Sequence, residues 1–339
     1  MEHKVTKKKP LLDKKGHLTD PGYATSEVFD YDRSMIAASK WRIKEWDYYC
    51  CLTESFAFTF TIADLGYLGL VTVDYLDFRT KKEIKKTKMP FFPFGKLGLP
   101  SSADEGDVAF EGNGFFMRFT SEADHRKIEV KIDDFSQGNP LEVNLKLHKK
   151  ADDRMVIATP WEKKPKAFYY NQKINCQPTE GTVSIGKAQF HYDPKKHFAV
   201  LDWGRGVWTY KNTWYWGSLS GLIDGKRFGF NIGYGFGDTS NATENMLFYD
   251  GEAHKLGQIK FEIDEDDYMK PWRFTSDDNR FECVMTPVFD RKDDMNLWII
   301  KNTGHQVFGY FNGRVTLDSG KELEIPGLLG FAEKITNHY

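Results

Sequence analysis

The chain has 339 residues, of which 40% are hydrophobic and 15% aromatic, enough for one large domain or two of ordinary size. Its formal net charge of −2 gives no overall field that would favour nucleic acid or an anionic membrane. No apolar run reaches the roughly 18 residues of a membrane helix, because the nearest candidate, 56–71, is interrupted by Asp64. Stable membrane insertion is therefore not expected.

Residues 1–30 read as a polar N-terminal extension. Its lysines, Lys4, Lys7, Lys8, Lys9, Lys14 and Lys15, have no stacking aromatics among them, which suits a solvated tail better than a nucleic-acid contact. The first ten residues are charged and have no apolar centre of the secretory kind. The segment 34–44 has Met35, Ile36, Ala38 and Trp41 near one side and predicts a short helix. Cys50 and Cys51 are adjacent and on a strand would face opposite sides; with Cys176 and Cys283 they show no zinc-ligand spacing. Buried thiols in a reducing, cytoplasmic setting are the expectation, with no metal and no cofactor.

Period-two patterns then dominate. Ile128, Val130 and Ile132 alternate with charged residues, as do Val143, Leu145 and Leu147, and later Ile259, Phe261 and Ile263. Asp224-Gly225, Asp250-Gly251 and Ser319-Gly320 mark hairpin turns. Many strands with few helices predict an all-β fold of barrel or sandwich type. The strands fall into two series, joined through 193–197, which divides the chain into 31–198 and 199–339.

The run from Asp202 to Trp216 holds the strongest chemical signal: Asp202, Arg205, Trp203, Trp208, Trp214 and Trp216 within fifteen positions. Buried Asp and Arg need partners. Two readings stay open for Asp202 and Arg205: a polar cluster in an apolar pocket, or a salt bridge pinning a turn after a strand at 199–203. Trp214 and Trp216 share a strand face and suit either a barrel core or the wall of a site for an unsaturated ligand. From 228 to 237, Phe228, Phe230, Ile232, Tyr234 and Phe236 alternate with Gly229, Asn231, Gly233, Gly235 and Gly237, as where a sheet curves or another backbone comes close. Glu244 and Asn245 follow, with Glu244 and Lys255 a candidate buried pair. Trp272 precedes a loop at 275–279. Glu333 is an acid inside an apolar C-terminal strand, which either finds a cation or serves a site. No Walker loop, dinucleotide fingerprint or nucleophile elbow is present.

The runs at 201–221, 231–256, 270–282 and 309–334 resemble the bacterial family catalogued as domain of unknown function 2804, and the resemblance spans about residues 10–338. More distantly the chain is similar to tandem-lipocalin proteins such as carotenoid 1,2-hydratases and fungal Diels–Alderases. That similarity implies two lipocalin-like antiparallel β-barrels in tandem, with a cavity in or between them. The carotenoid hydratases would have a catalytic acid near the barrel junction, where Asp202 lies; their His-containing motif is replaced here by 202–206.

Three functions follow as expectations. The first is binding of a hydrophobic small molecule, lipid or isoprenoid-like, in an aromatic-lined barrel cavity. Its candidate contacts are Arg205 for a polar headgroup, with Trp208, Trp214, Trp216, Tyr234, Asn245, Trp272 and Glu333. The second is a cofactor-independent hydratase, isomerase or cyclase with Asp202 or Glu244 as acid and base. The third is a structural protein whose barrels are filled by their own aromatics.

Overall fold

Short-period alternation becomes strand almost throughout. The structure, a computed structural model, describes residues 2–161, 163–297 and 300–338. Two large antiparallel sheets follow one another along the chain, each curled around its own core as a half-barrel. The first has as its centre the strands Ile43–Leu52, Phe198–Val207 and Lys164–Ile185, hydrogen-bonded side by side. Its far strands curl towards each other, and Lys86 on one lies 3.5 Å from Asp134 on another. The second is built from Lys211–Ile223, Lys226–Tyr234 and three 17-residue strands, Phe281–Leu297, Ile300–Thr316 and Glu322–His338.

Alternation assigns each strand's two faces to different jobs. Tyr49, Cys51, Phe58, Phe60, Leu201 and Trp203 face the first core, whereas Tyr48, Cys50, Val200 and Ala57 face outward. Leu219, Phe228, Phe230, Ile232, Phe311 and Ala332 fill the second core, whereas Trp216, Phe308 and Phe331 face outward. The outward faces of the two sheets meet back to back and form a third apolar cluster between them. Cys50 and Cys51 thus fall on opposite faces, as their adjacency predicts.

A bulge pins the joint. In Lys164–Ile185 the register shifts between Ile174 and Gln177. This turns Asn175 towards the second sheet, where its Nδ2 donates to Ser218 Oγ at 2.9 Å and to Phe230 O at 3.0 Å. Glycines of 228–237 allow close approaches, Gly229 across the joint and Gly233 within the second half. A Cβ on Gly229 would sit 2.6 Å from Cys176 Sγ, and one on Gly233 would sit 2.3 Å from Glu244 Oε1.

Several expectations are corrected. The Lys-rich head is not a loose tail. Val5, Leu11 and Leu12 are buried, Gly22–Ala24 pairs with Met155–Trp161, and Lys9 pairs with Asp20. The segment 34–44 forms two single 3₁₀ turns, Arg33–Met35 and Lys40–Arg42, instead of a helix. Ile36 and Ala38 pack against the first core while Met35 and Trp41 stay exposed, so the four do not form one buried face. The strand expected to stop at Trp203 continues to Val207, and both of its edges are hydrogen-bonded within the first sheet. The sheets therefore part between Val207 and Lys211, rather than at 198.

Candidate functional site

Between the two back faces lies a cavity of about 260 Å³. It is just under the usual range of small-molecule sites, about 300–1,000 Å³. The first sheet supplies Trp46, Tyr48, Thr61, Ala63, Lys173 and Asp202 to its wall; the second supplies Trp214, Trp216, Phe236, Gln306 and Glu333, and Trp208 comes from the link between them. The cavity thus lies at the junction of the half-barrels; of the aromatics expected to line it, Trp208, Trp214 and Trp216 do so, whereas Tyr234 and Trp272 belong to the second core.

Its aromatic wall is edge-to-face. Trp208 is 5.7 Å from Trp46 and 5.3 Å from Trp214, and Trp216 meets Tyr48 at 6.1 Å. Trp46 reaches this position because residue 204 is glycine, as a Cβ there would lie 2.1 Å from its ring. Phe236 joins the wall although Phe228, Phe230 and Ile232 do not. Its strand ends at Tyr234, and the turn at Gly235 breaks the alternation.

One lysine organises the polar floor. Lys173 and Asp202 are directly opposed across neighbouring strands, and Nζ meets Oδ2 at 2.8 Å. Asn171, two residues along, donates its Nδ2 to Asp202 Oδ1 at 2.7 Å. The Lys173 ammonium also lies 3.8 Å from the Trp216 ring centroid, a cation–π contact. Lys173 is 1% exposed, so the pairing satisfies a charge that water does not reach.

Glu333 comes from the second sheet, where it is opposed to Trp216 on one side and Gln306 on the other. Trp214, the diagonal neighbour, donates Nε1–H to Glu333 Oε1 at 2.9 Å, and Gln306 donates Nε2–H to Oε2 at 3.0 Å. Gln306 is held in that orientation by Arg291, whose Nη1 donates to its Oε1 at 3.0 Å while Nη2 donates to Asp74 Oδ2 at 2.8 Å. Burial pushes the Glu333 carboxyl up to about 7, against the opposing pull of the Trp214 hydrogen bond and Lys173, with the negative charge of Asp202 adding to the rise.

Glu244 is also raised to about 7, first by burial and then by Asp202 and Glu333, with Lys173 opposing. The Tyr169 hydroxyl lies 3.4 Å from its Oε2, and its Oε1 has no hydrogen-bond partner among the described residues. Three carboxyl groups therefore share the field of one buried ammonium. They cannot all ionise cheaply, and it is the Glu333 and Glu244 carboxyls that are pushed up to about 7.

Other sequence-derived candidates lie elsewhere. Asp202 and Arg205 do not meet, because three residues along a strand is an odd number and reverses the face. Arg205 is buried in the first half-barrel, where its Nη1 lies 2.9 Å from Asp47 and its guanidinium lies over Trp203. Its headgroup role is thus replaced by a structural one. Lys255 pairs with Glu2 at 2.9 Å, rather than with Glu244. Asn245 holds loops together, its Oδ1 accepting from Gly233 N and its Nδ2 donating to Gly257 O. Tyr234 stacks on Tyr215 at 4.5 Å against the second core, and Trp272 is enclosed in that core. Sequence reasoning did not single out Lys173, Trp46, Gln306 or Arg291. A lysine set within Tyr169-Tyr170-Asn171-Gln172-Lys173-Ile174 was a visible signal; Arg291, in a run of charges, gave none.

Solved structures share this architecture at low identity. A protein assigned as AttH from Nitrosomonas europaea is 13% identical, with a TM-score of 0.53 over 91% of this chain and 98% of its own. Kievitone hydratase from Nectria haematococca is 10% identical, with a TM-score of 0.50 over 87% of this chain and 88% of its own. Both likenesses concern the fold. No curated protein matches the chain in sequence. The model of one family, domain of unknown function (DUF2804), matches residues 2–339, and the chain belongs to that family.

Proposed function

We propose that the inter-barrel cavity binds a small, largely apolar, unsaturated molecule and transfers a proton to or from it, as in reversible hydration or double-bond isomerisation. The observation that carries this reading is a cavity walled by tryptophans into which a carboxyl group, Glu333, is fixed by two hydrogen bonds. A carrier for apolar cargo gains nothing from three carboxyls around one lysine; an acid–base catalyst does, since its acid works best with a pKa near the working pH. Glu333 is the proton donor and acceptor in this reading. A proton passes from its carboxyl to an alkene carbon, the Trp214 and Trp216 faces favour the developing cation, and the carboxylate then takes a proton back from the adding water or from a neighbouring carbon. Asp202 serves to balance Lys173, and Glu244 is a further carboxyl in the field of the same ammonium. That one structural neighbour is a hydratase accords with this chemistry.

The test begins with organic extraction of the purified protein and identification of anything retained. Related unsaturated compounds are then incubated in deuterium oxide with the native protein and with Glu333→Gln. Enzyme-dependent deuterium incorporation, reduced by about 10²–10⁴-fold in the variant, is expected. Tight binding of a compound with no exchange and no turnover would leave the carrier reading in its place.

A further inference from the structure

A cluster of exposed aromatic side chains lies beside a segment that lines the cavity. Phe91 is 72% exposed, Phe92 53%, Trp41 49% and Met89 46%, far above what most side chains of their kind show. They are contiguous. Trp41 contacts Phe92 at 5.9 Å and Phe94 at 4.9 Å, and Phe91 contacts Phe92 at 6.3 Å. Phe92 and Phe94 both have positive φ, 54° and 48°, a backbone region that bulky residues avoid. Something must hold them there, and it is a segment that lines the cavity. Phe92 N donates to Tyr67 O at 2.9 Å, Gly69 N to Pro90 O at 2.7 Å, and the buried carboxylate of Asp64 accepts from the amides of Gly66 and Gly95. Leu65, Tyr67, Leu68 and Leu70, on the inner side of those bonds, line the cavity.

Charge adds a second, independent feature. The stretch 81–96 carries six lysines and one glutamate, in a chain whose net charge is −2. Lys40 and Lys96, both exposed, accompany the rings: the Lys40 ammonium lies 4.4 Å from the Phe94 ring centroid, and Lys96 follows Phe94 in the turn closed by Lys96 N donating to Pro93 O. Lys86 and Lys88 stand at the end of the strand that leads into the patch. Projecting aromatics ringed by lysines suit the boundary between headgroups and acyl chains of an anionic bilayer.

We propose that Met89, Phe91, Phe92 and Trp41 dock the protein on an anionic membrane surface, with Lys40, Lys88 and Lys96 meeting lipid headgroups. No segment crosses the bilayer; the aromatic tips enter its interface. Docking there puts the 65–70 wall of the cavity next to the lipid. If the cavity takes an apolar molecule, which rests on the function proposed above, that molecule can pass from bilayer to site without entering water.

Sedimentation with vesicles of phosphatidylcholine alone, and of phosphatidylcholine with about 30% phosphatidylglycerol, reads docking without reference to activity. The native protein should pellet with the anionic vesicles and be released by salt. Phe91→Ser with Phe92→Ser, both outside the core, should weaken partitioning by about tenfold or more, and Lys40→Glu with Lys96→Glu should do so with the rings intact. Circular dichroism confirms folding of each variant. No binding by the native protein, or equal binding by either variant, overturns the proposal. So does a native dimer that the Phe variant converts to monomer, since a second copy would then be the occupant. Membrane binding that persists in Glu333→Gln, without turnover in any form, would sink the catalytic reading and leave docking standing.

Discussion

Replacing Glu333 by Gln separates the cost of its charge from the value of its hydrogen bonds. In the unfolded chain this carboxyl titrates near 4.5, and in the folded protein near 7. Between those values the native state keeps a proton that the unfolded chain has released. Stability contributed by the neutral acid is therefore complete at low pH, falls as pH rises through this window, and is level above it. At about 1.36 kcal/mol per pH unit, the shift disfavours the native state by about 3 kcal/mol once pH exceeds 7. Gln does not titrate and escapes this term. It does lose a hydrogen bond, because Trp214 and Gln306 both donate and Gln has one acceptor oxygen. Gln306 cannot turn to help, since Arg291 requires its oxygen. That loss is worth about 1 kcal/mol. The variant should thus be less stable than the native protein by about 1 kcal/mol near pH 4 and more stable by about 2 kcal/mol near pH 8. Urea unfolding at both pH values reads the crossover. Equal destabilisation at the two would mean that burial does not raise this carboxyl, and the acid–base argument would lose its foundation.

Other outcomes follow from the same geometry. Turnover should need the protonated form of Glu333 and so decline above about pH 7, a limb that pH–rate profiles would reveal and that a carrier would not show. Asp202→Asn leaves Lys173 with a buried charge and should cost about 3–5 kcal/mol; adding Lys173→Met should recover much of it, a non-additivity measurable by denaturant unfolding. Gly204→Ala drives a Cβ into the Trp46 ring and should reshape the cavity wall, weakening ligand binding while circular dichroism keeps its β signature. The four thiols are buried, and burial pushes Cys50 and Cys176 up to about 12, so a thiol reagent should label them only as fast as the protein opens.

The all-β architecture was legible because alternation survives wherever one face is wet, as in His125–Ser136 and Asn139–His148. It fails where both faces are covered. Phe198–Val207 is buried at every position, so no pattern tells which of its residues look into the first core and which look towards the second sheet. Parity alone parts Asp202 from Arg205 once the strand is known to run through both glycines. The same difficulty hides Trp272 and Tyr234: an aromatic in a β-rich chain reads alike in a core and in a cavity wall. Glu333 was visible as an acid among apolar residues, whereas its support, Gln306 and Arg291, comes from other strands and left no local trace. The N-terminal lysines misled because charge density was read without Val5, Leu11 and Leu12 between them.

The two-sided strands at the joint carry two messages interleaved residue by residue. In Lys211–Ile223, Trp214 and Trp216 shape the cavity while Tyr215 and Leu219 shape the second core; in Glu322–His338, Glu333 serves the first purpose and Ala332 the second. Changes at alternate positions can therefore alter what the cavity accepts without disturbing the interior of either half-barrel. Members of one family built this way can diverge in chemistry along one parity of these strands while the other parity keeps the architecture constant.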